Sequence, residues 1–289
     1  MSAVAAGDAY APIYDAIGQG RRVARMAGWV VRWLCARGLR RGCALDLACA
    51  TGAAALTFVR AGWQVVGVDR SAAMLQIARG RARDAGCDVL FVQANIRDLG
   101  TIGDARESPS IAEHLPANAG GGWSFDLVTC FDAGLNELTA DGDLDRAFGG
   151  IADRLRPGGY LICELNTEVE YRTWDERDRV IYDGQDCLVY HKLSYDVRAH
   201  LGHRRVVWFV REIELWWRGE EMRIERAWRD TEVCAALERA GLALVGRWNA
   251  EGAEVVEGAG ELPQVVYIAQ KPHAEKASYR PGAPGGGAW

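Results

Sequence analysis

Leu45-Asp46-Leu47-Ala48-Cys49-Ala50-Thr51-Gly52 is the stretch on which the reading of this chain turns. Cys43 to Ala48 is a short apolar run of strand length, and it passes through small residues into a helical stretch, Ala53 to Ala61, closed by Gly62. A turn at the carboxyl end of a strand lets a ligand approach the backbone and the following helix N-terminus. Small side chains are required there, because larger ones would occupy the ligand's space. Ala48, Ala50, Gly52, Ala53 and Ala54 meet that requirement.

Working outward, Gln64 to Val68 reads as a second strand ending at Asp69, 23 residues beyond Asp46. A carboxylate at that place can accept hydrogen bonds from both hydroxyls of a ribose. Ser71 can cap the next helix, whose positions Ala72, Leu75 and Ala78 face inward, and Gly86 supplies its left-handed stop before a third strand, Asp88 to Gln93. Phe125 to Phe131 is a fourth strand. Asp141 to Arg156 carries Leu144, Ala147, Phe148, Ile151 and Leu155 on one helical face, and Pro157-Gly158-Gly159 turns it into a fifth strand, Tyr160 to Leu165. Such alternation predicts parallel βαβ units. Thr231 to Ala240 returns to helix, and Leu242 to Trp248 with Gln264 to Gln270 predicts a closing hairpin.

Three stretches depart from the alternation. An amphipathic pattern at Val23, Ala27, Val30, Val31 and Leu34 follows Tyr10 and Tyr14, as of a lid helix leading into a second helix. Gly100 to Gly122 is rich in Ser, Pro, Asn and Gly and reads as an insertion loop. Cys187 to Tyr195, Val206 to Trp217 and Glu221 to Trp228 read as strands of an antiparallel sheet over the active face, the last two joined by a turn at Arg218-Gly219. The expected fold is α/β: a Rossmann-like, doubly wound seven-stranded sheet with a C-terminal antiparallel hairpin, plus a small inserted antiparallel β subdomain. The expected division is 1-40, N-terminal lid helices; 41-167 and 229-271, the cofactor domain; 168-228, the inserted substrate subdomain; and 272-289, a flexible tail.

Composition narrows the function. With 289 residues, 49% of them hydrophobic, the chain can bury a full core, and its formal net charge of -5 provides no global positive field for nucleic acid or an anionic membrane. The eight cysteines are scattered without a Cys-x-x-Cys pair and read as reduced, buried thiols. Nothing supplies ligands at metal spacing. The start, Met-Ser-Ala-Val-Ala-Ala-Gly, is neither basic nor followed by a secretory apolar stretch, and no membrane-length apolar run occurs, so a cytoplasmic location is expected.

The turn and Asp69 together indicate a cofactor containing adenosine. A nicotinamide dinucleotide would need close backbone approach at several glycines, but Gly52 is the only glycine between Leu45 and Ala61. S-adenosylmethionine has no phosphate, and its ammonium and carboxylate suit a looser turn plus Asp46.

At this point the chain resembles the class I S-adenosylmethionine-dependent methyltransferases over most of residues 10 to 166 and the closing hairpin. Leu45 to Gly52 looks like the family's first motif and Val68-Asp69-Arg70-Ser71-Ala72-Ala73-Met74-Leu75 like its acidic second-strand motif. Gln93-Ala94-Asn95-Ile96 stands where the family binds the adenine edge, Phe125-Asp126-Leu127-Val128 is its fourth strand, and Leu155-Arg156-Pro157-Gly158-Gly159 its turn before the fifth. Tyr10 and Tyr14 resemble the opening of small bacterial methyltransferases, including those acting on amino sugars, where this segment closes over the methionine end. The resemblance implies S-adenosyl-L-methionine as cofactor, held by Tyr10, Tyr14, Asp46, Ala48, Ala50, Gly52, Asp69, Arg70, Met74, Asn95, Ile96, Cys130 and Phe131. Two departures stand out. Ala50 replaces a usual glycine and costs roughly 1 to 2 kcal/mol if its φ is positive; Asn95 replaces a usual aspartate, its carbonyl still able to accept from the adenine amino group.

Methyl transfer is an in-line displacement in which holding the nucleophile in place supplies much of the catalysis. Asp132 and Asn136 are the first polar side chains after the fourth strand, where the family places residues beside the transferred methyl; either one capping the following loop is the bland alternative. His191 is a third catalytic candidate, as a base, against the more ordinary structural role of a strand histidine. Trp208, Trp216, Trp217 and Trp228 form an aromatic cluster, read either as an acceptor pocket or as packing, with Trp208 and Trp216 on one face and Trp217 on the other. The expected activity is transfer of a methyl group to an N or O atom of a small-molecule acceptor, of the kind used in specialised metabolism, with the oligomeric state left open. Alternatives are an RNA or protein methyltransferase, for which Arg204-Arg205, Arg211 and Arg223 would supply a local basic patch, and a binding or regulatory protein that keeps the fold without turnover.

Overall fold

The computed structural model describes residues 10–102, 123–250, 252–256 and 258–273. The expected insertion loop from residue 103 to 122 and the tail from residue 274 onward lie outside the described residues.

Two helices, α1 (Ala11–Ala16) and α2 (Gln19–Cys35), lead into the alternation β1 (Cys43–Leu47), α3 (Ala53–Arg60), β2 (Gln64–Asp69), α4 (Ala72–Asp84), β3 (Leu90–Gln93) and β4 (Phe125–Cys130). Then come α5 (Asp143–Arg154), β5 (Leu155–Asn166), the short α6 (Glu168–Arg172), the strands β6 (Asp175–Asp183), β7 (Cys187–Asp196), β8 (Leu201–Glu212) and β9 (Leu215–Arg226), α7 (Asp230–Arg239), β10 (Ala243–Trp248) and β11 (Gln264–Gln270). All five residues of β1 are buried, as befits a central parallel strand covered on both faces. The seven-stranded sheet runs β10-β11-β5-β4-β1-β2-β3, with β1 to β5 parallel and β11 antiparallel to both β5 and β10.

Alternating residues of each strand feed two cores. Leu45, Leu47 and Val128 pack with Leu144, Phe148 and Ile151 of α5 and Val233 and Leu237 of α7. Ala44, Val65 and Leu127 face the other way, toward Val30 and Leu34 of α2, Phe58 of α3 and Leu75 of α4. Ser71 caps α4, accepting from the Met74 amide at 3.1 Å, and Gly86 stops it with φ 61°. The chain reverses its direction of sheet growth between β1 and β4, so their carboxyl ends open a crevice, which is where doubly wound folds place ligands. No described helix is long and apolar enough to cross a membrane. All eight cysteines are free, four buried and four half-buried.

The second sheet is antiparallel, in the order β6 (Asp175–Asp183), β7 (Cys187–Asp196), β8 (Leu201–Glu212) and β9 (Leu215–Arg226). It has a strand, β6, that sequence reasoning did not expect. The turn between the last two strands lies at Ile213-Glu214, not at Arg218-Gly219, and Ile213 adopts φ 60° there. Gly219 sits inside β9 opposite Trp208 because a Cβ at that position would lie 2.3 Å from the indole. The glycine makes room for a ring rather than for a turn. The shifted register also reverses the tryptophan faces: Trp217 pairs with Val210 and shares the face of Trp208, whereas Trp216 pairs with Arg211 on the opposite face.

Candidate functional site

A cleft open to solvent lies at the carboxyl ends of β1, β2 and β4. Its floor is shaped by backbone. Ala48 (φ 50°), Ala50 (φ 47°) and Gly52 (φ 78°) place the loop after β1 in left-handed conformations, so the usual glycine's positive φ is present at Ala50 and strained. Asp69 secures that loop: one carboxylate oxygen accepts from the Ala50 amide at 2.8 Å and the other from the Ser71 amide at 2.8 Å. Burial raises its pKa. The loop after β4 comes equally close, because a Cβ on Gly134 would stand 2.8 Å from that of Ala48 and 2.9 Å from the Cys130 sulfur. Below the first loop, Asp46 is buried, with Oδ1 accepting from the Thr129 hydroxyl at 2.8 Å and Oδ2 without a hydrogen-bond partner. Burial pushes its carboxyl up to about 7.

A polar cluster closes one end. Arg22 of α2 donates to Asp132 Oδ1 at 2.7 Å and to both Glu164 oxygens at 2.7 and 3.0 Å; the Tyr14 hydroxyl donates to Asp132 Oδ2 at 2.9 Å, and the Asp132 amide to Glu164 at 3.0 Å. Burial pushes the Asp132 carboxyl up, but the charges of Arg22 and Arg204 and the hydrogen bonds from Arg22 and Tyr14 outweigh it, holding the group below the usual carboxylate range. Asp132 and Ala133 follow β4 with φ 55° and 58°, which turns this carboxylate back toward α1 and α2.

Of the residues singled out from sequence, Tyr14, Ala48, Ala50, Asp69, Arg70, Met74, Asn95, Ile96, Phe131 and Asp132 line the cleft together. Gly52 packs against Phe91 and Ala78, and Cys130 is fully buried beneath the β4 loop. Tyr10 lies outside the lining, its ring 6.1 Å from those of Tyr14 and Trp208. Asn95 commits its carbonyl oxygen to the Arg97 amide at 3.0 Å, a local turn that competes with acceptance from an adenine. Asn136 is fully buried, donating to the carbonyls of Asn166 and Arg226 and accepting from the Asn166 amide. His191 sits on β7 outside the lining, its Nε2 unpartnered; burial and then Arg204, Arg223 and Arg179 push its pKa down to about 3, so it is a neutral, weak base. Trp216 and Trp217 are exposed and Trp228 belongs to the α5/α7 core, so these three line no part of the cleft.

Arg22, Glu164, Glu137 and Gly134 were not singled out in the sequence, and Arg223 was read only as part of a basic patch. Glu164 had a signal: it is the lone charge in the apolar run Tyr160 to Leu165. The others had none, since Arg22 and Arg223 reach the site from elements far away in the chain. No group of three or more His, Cys, Asp or Glu side chains that could hold a metal occurs among the described residues.

Fold and cleft define a doubly wound domain whose ligand crevice lacks a phosphate-binding glycine loop. Residues 44–110 match the family model of a methyltransferase domain. A provisionally named methyltransferase of Geobacillus sp. (strain WCH70) is 29% identical over 123 residues, 43% of this chain and 42% of that one; the chain thus aligns with less than half the length of the curated relatives it matches. Among solved structures, an S-adenosylmethionine-dependent methyltransferase from Clostridium acetobutylicum ATCC 824 superposes with a TM-score of 0.74 at 20% identity, covering 91% of this chain and 98% of the other. CalS10, an amino pentose methyltransferase from Micromonospora echinaspora solved with its cofactor bound, superposes with a TM-score of 0.63 at 20% identity, covering 90% and 96%. Residues 44–110 thus carry the pattern of a methyltransferase domain, and the chain as a whole has the fold of S-adenosylmethionine-dependent methyltransferases. The cleft fits that family's cofactor: Ala48 and Ala50 offer only methyl groups to the space, and Asp69 keeps lone pairs free beyond its two backbone bonds, whereas Asp46 stays outside the lining, buried beneath the first loop.

Proposed function

We propose that this protein methylates a small molecule, and that its acceptor atom is an amine nitrogen rather than a hydroxyl oxygen. The observation that carries the reading is that Ala48, Ala50 and Asp69 line one cleft with Asp132, whose carboxylate is held by Tyr14 and Arg22. When bound, S-adenosylmethionine supplies an activated methyl group to a nucleophile held in line with it. In this reading Asp69 takes the ribose hydroxyls, Asp46 the ammonium, Asn95 and Ile96 the adenine edge, and Phe131 and Met74 pack the adenosine.

Charge at the other end favours an amine. Arg22 faces two carboxylates, leaving one negative charge uncompensated, and Arg204 is itself paired with Glu225. An amine attacks as the free base and becomes cationic as the new bond forms, so a fixed anion beside it stabilises the developing charge. Asp132, held ionised by Arg22 and Tyr14, is assigned that electrostatic role rather than that of a general base. Asn136, with its hydrogen bonds spent on backbone, is assigned to holding the β4 and β5 loops together, and His191 to the packing of the small sheet. Residues 168-228 serve in this scheme as the substrate subdomain above the cofactor domain. A nucleic-acid substrate is disfavoured because Arg204, Arg205, Arg211 and Arg223 each pair with a carboxylate.

Calorimetry with S-adenosylmethionine and its demethylated product, followed by transfer of labelled methyl to matched amine and alcohol panels, tests the proposal. Binding with labelling of amines is expected; no binding of either cofactor form sinks it, and labelling of alcohols alone sinks the preference for nitrogen.

A further inference from the structure

Among the residues lining the cleft, Arg223 alone comes from the four-stranded sheet. Its position is built from both sides. The Nε donates to Glu221 Oε1 on the same strand at 3.0 Å, Nη1 stands 3.5 Å from Glu137 Oε1, and the guanidinium lies 4.5 Å over the Tyr10 ring. Glu137, in the short turn after β4, holds Arg70 with its other oxygen at 2.7 Å. Arg70 directly follows Asp69. The result is an alternating ionic chain, Arg70–Glu137–Arg223–Glu221, that crosses from the end of β2 to β9.

The chain pairs two cations with two anions, so it brings a guanidinium to the cleft without adding net positive charge that would repel a cationic cofactor. A guanidinium has five N–H donors in a planar fork. Nε and Nη1 face the two carboxylates, and the side chain is among those lining the cleft. Glu221 is nearly buried and its Oε2 has no partner, so its orientation depends on Arg223.

We propose that Arg223 is a cofactor-binding residue contributed by the four-stranded sheet, and that this ionic chain makes cofactor binding and the ordering of β7 to β9 interdependent. The inference rests on the methyltransferase reading above. Linkage requires reciprocity: if the ordered sheet tightens cofactor binding, the cofactor must order the sheet by the same free energy.

The test is amide hydrogen exchange on the full chain with and without S-adenosylhomocysteine, combined with calorimetric affinity. In the wild type, the ligand is expected to slow exchange in β7 to β9 as well as in the loops after β1, β2 and β4. A double variant, Arg223→Met with Glu221→Gln, leaves no charge stranded; its affinity should fall about tenfold, with slowing confined to the loops. Arg223→Lys folds with its charge kept and should recover part of the sheet's slowing. Unchanged affinity in the variants, or wild-type slowing that never reaches the sheet, overturns the proposal. Wild type that does not bind the ligand at all overturns the methyltransferase reading and this inference with it.

Discussion

The strand ends that form the cleft and the four-stranded sheet beside it are held by different physics. In the cleft, backbone carries the shape: left-handed Ala48, Ala50, Asp132 and Ala133, amides of Ala50 and Ser71 bonded to Asp69, and a glycine where two loops touch. In the small sheet, side chains carry it: Arg204–Glu225, Arg205–Glu220 and Arg223–Glu221 pair across or along strands, Trp208 fills the space above Gly219, and Trp216, Met222 and Ile224 stay exposed. A backbone-built site is local in sequence and tolerates little local change. An ion-paired sheet is assembled from residues far apart, and its members can be exchanged in pairs.

The seam between the two regions should show the largest effect. Arg22→Met would leave the Glu164 carboxylate, 1% exposed, and that of Asp132 without their common cation. Stranding a buried carboxylate costs about 3 kcal/mol, somewhat less here because Arg22 is partly exposed. Denaturant unfolding should show that loss, and Arg22→Met with Glu164→Gln should regain part of it. A single variant within 0.5 kcal/mol of wild type would mean the cluster is not a structural joint. Within the sheet, Gly219→Ala forces a Cβ against Trp208 and should cost about 2 kcal/mol, with a change in tryptophan fluorescence. Trp208→Leu in the same background should recover much of the stability. If it does not, the strain lies in the β9 backbone instead.

This division also explains what sequence could tell. Leu45 to Gly52, Asp69 and Pro157-Gly158-Gly159 are short signals whose meaning is set by neighbours along the chain, and they are enough to order the parallel strands and find most of the cleft. Arg22, Glu137 and Arg223 carry no such mark, because an arginine on an amphipathic helix or an alternating strand looks solvated until the fold brings a carboxylate to it. Gly219 misled for a related reason. A glycine between two β-prone runs signals a turn unless one knows that the opposite strand places an indole over it, and the turn instead used Ile213, a residue disfavoured at φ 60°.

A smaller effect distinguishes the cleft by pH. Between the usual aspartate value of 3.8 and about 7, the folded chain keeps a proton on Asp46 that the unfolded chain releases. Stability from this group therefore falls as pH rises through that window. If Asp46 receives the cofactor's ammonium as proposed, binding favours the carboxylate and expels the proton, so cofactor affinity should rise with pH up to about 7 and then level off. Calorimetry should find binding roughly tenfold tighter at about pH 7.5 than at about pH 6. Burial also raises Asp69, so Asp46→Asn is the deciding control. A slope that survives in Asp46→Asn assigns the proton elsewhere.

The smallest effect concerns Ala50. Its φ of 47° places it where an L side chain pays roughly 1 kcal/mol or more and glycine pays nothing for the conformation. Glycine also frees the unfolded chain, which offsets about 0.4 to 1 kcal/mol of the gain. Ala50→Gly should thus stabilise the protein by no more than about 1 kcal/mol. The amide that Asp69 holds remains in place, so cofactor affinity should be kept or slightly improved. The same exchange at Gly219 in reverse damages the small sheet, because there the obstacle is a ring from another strand and not the dihedral. If Ala50→Gly instead weakens cofactor binding markedly at unchanged stability, the Ala50 methyl group is itself a contact surface for the cofactor. The cleft would then depend on a side chain where its backbone appeared sufficient.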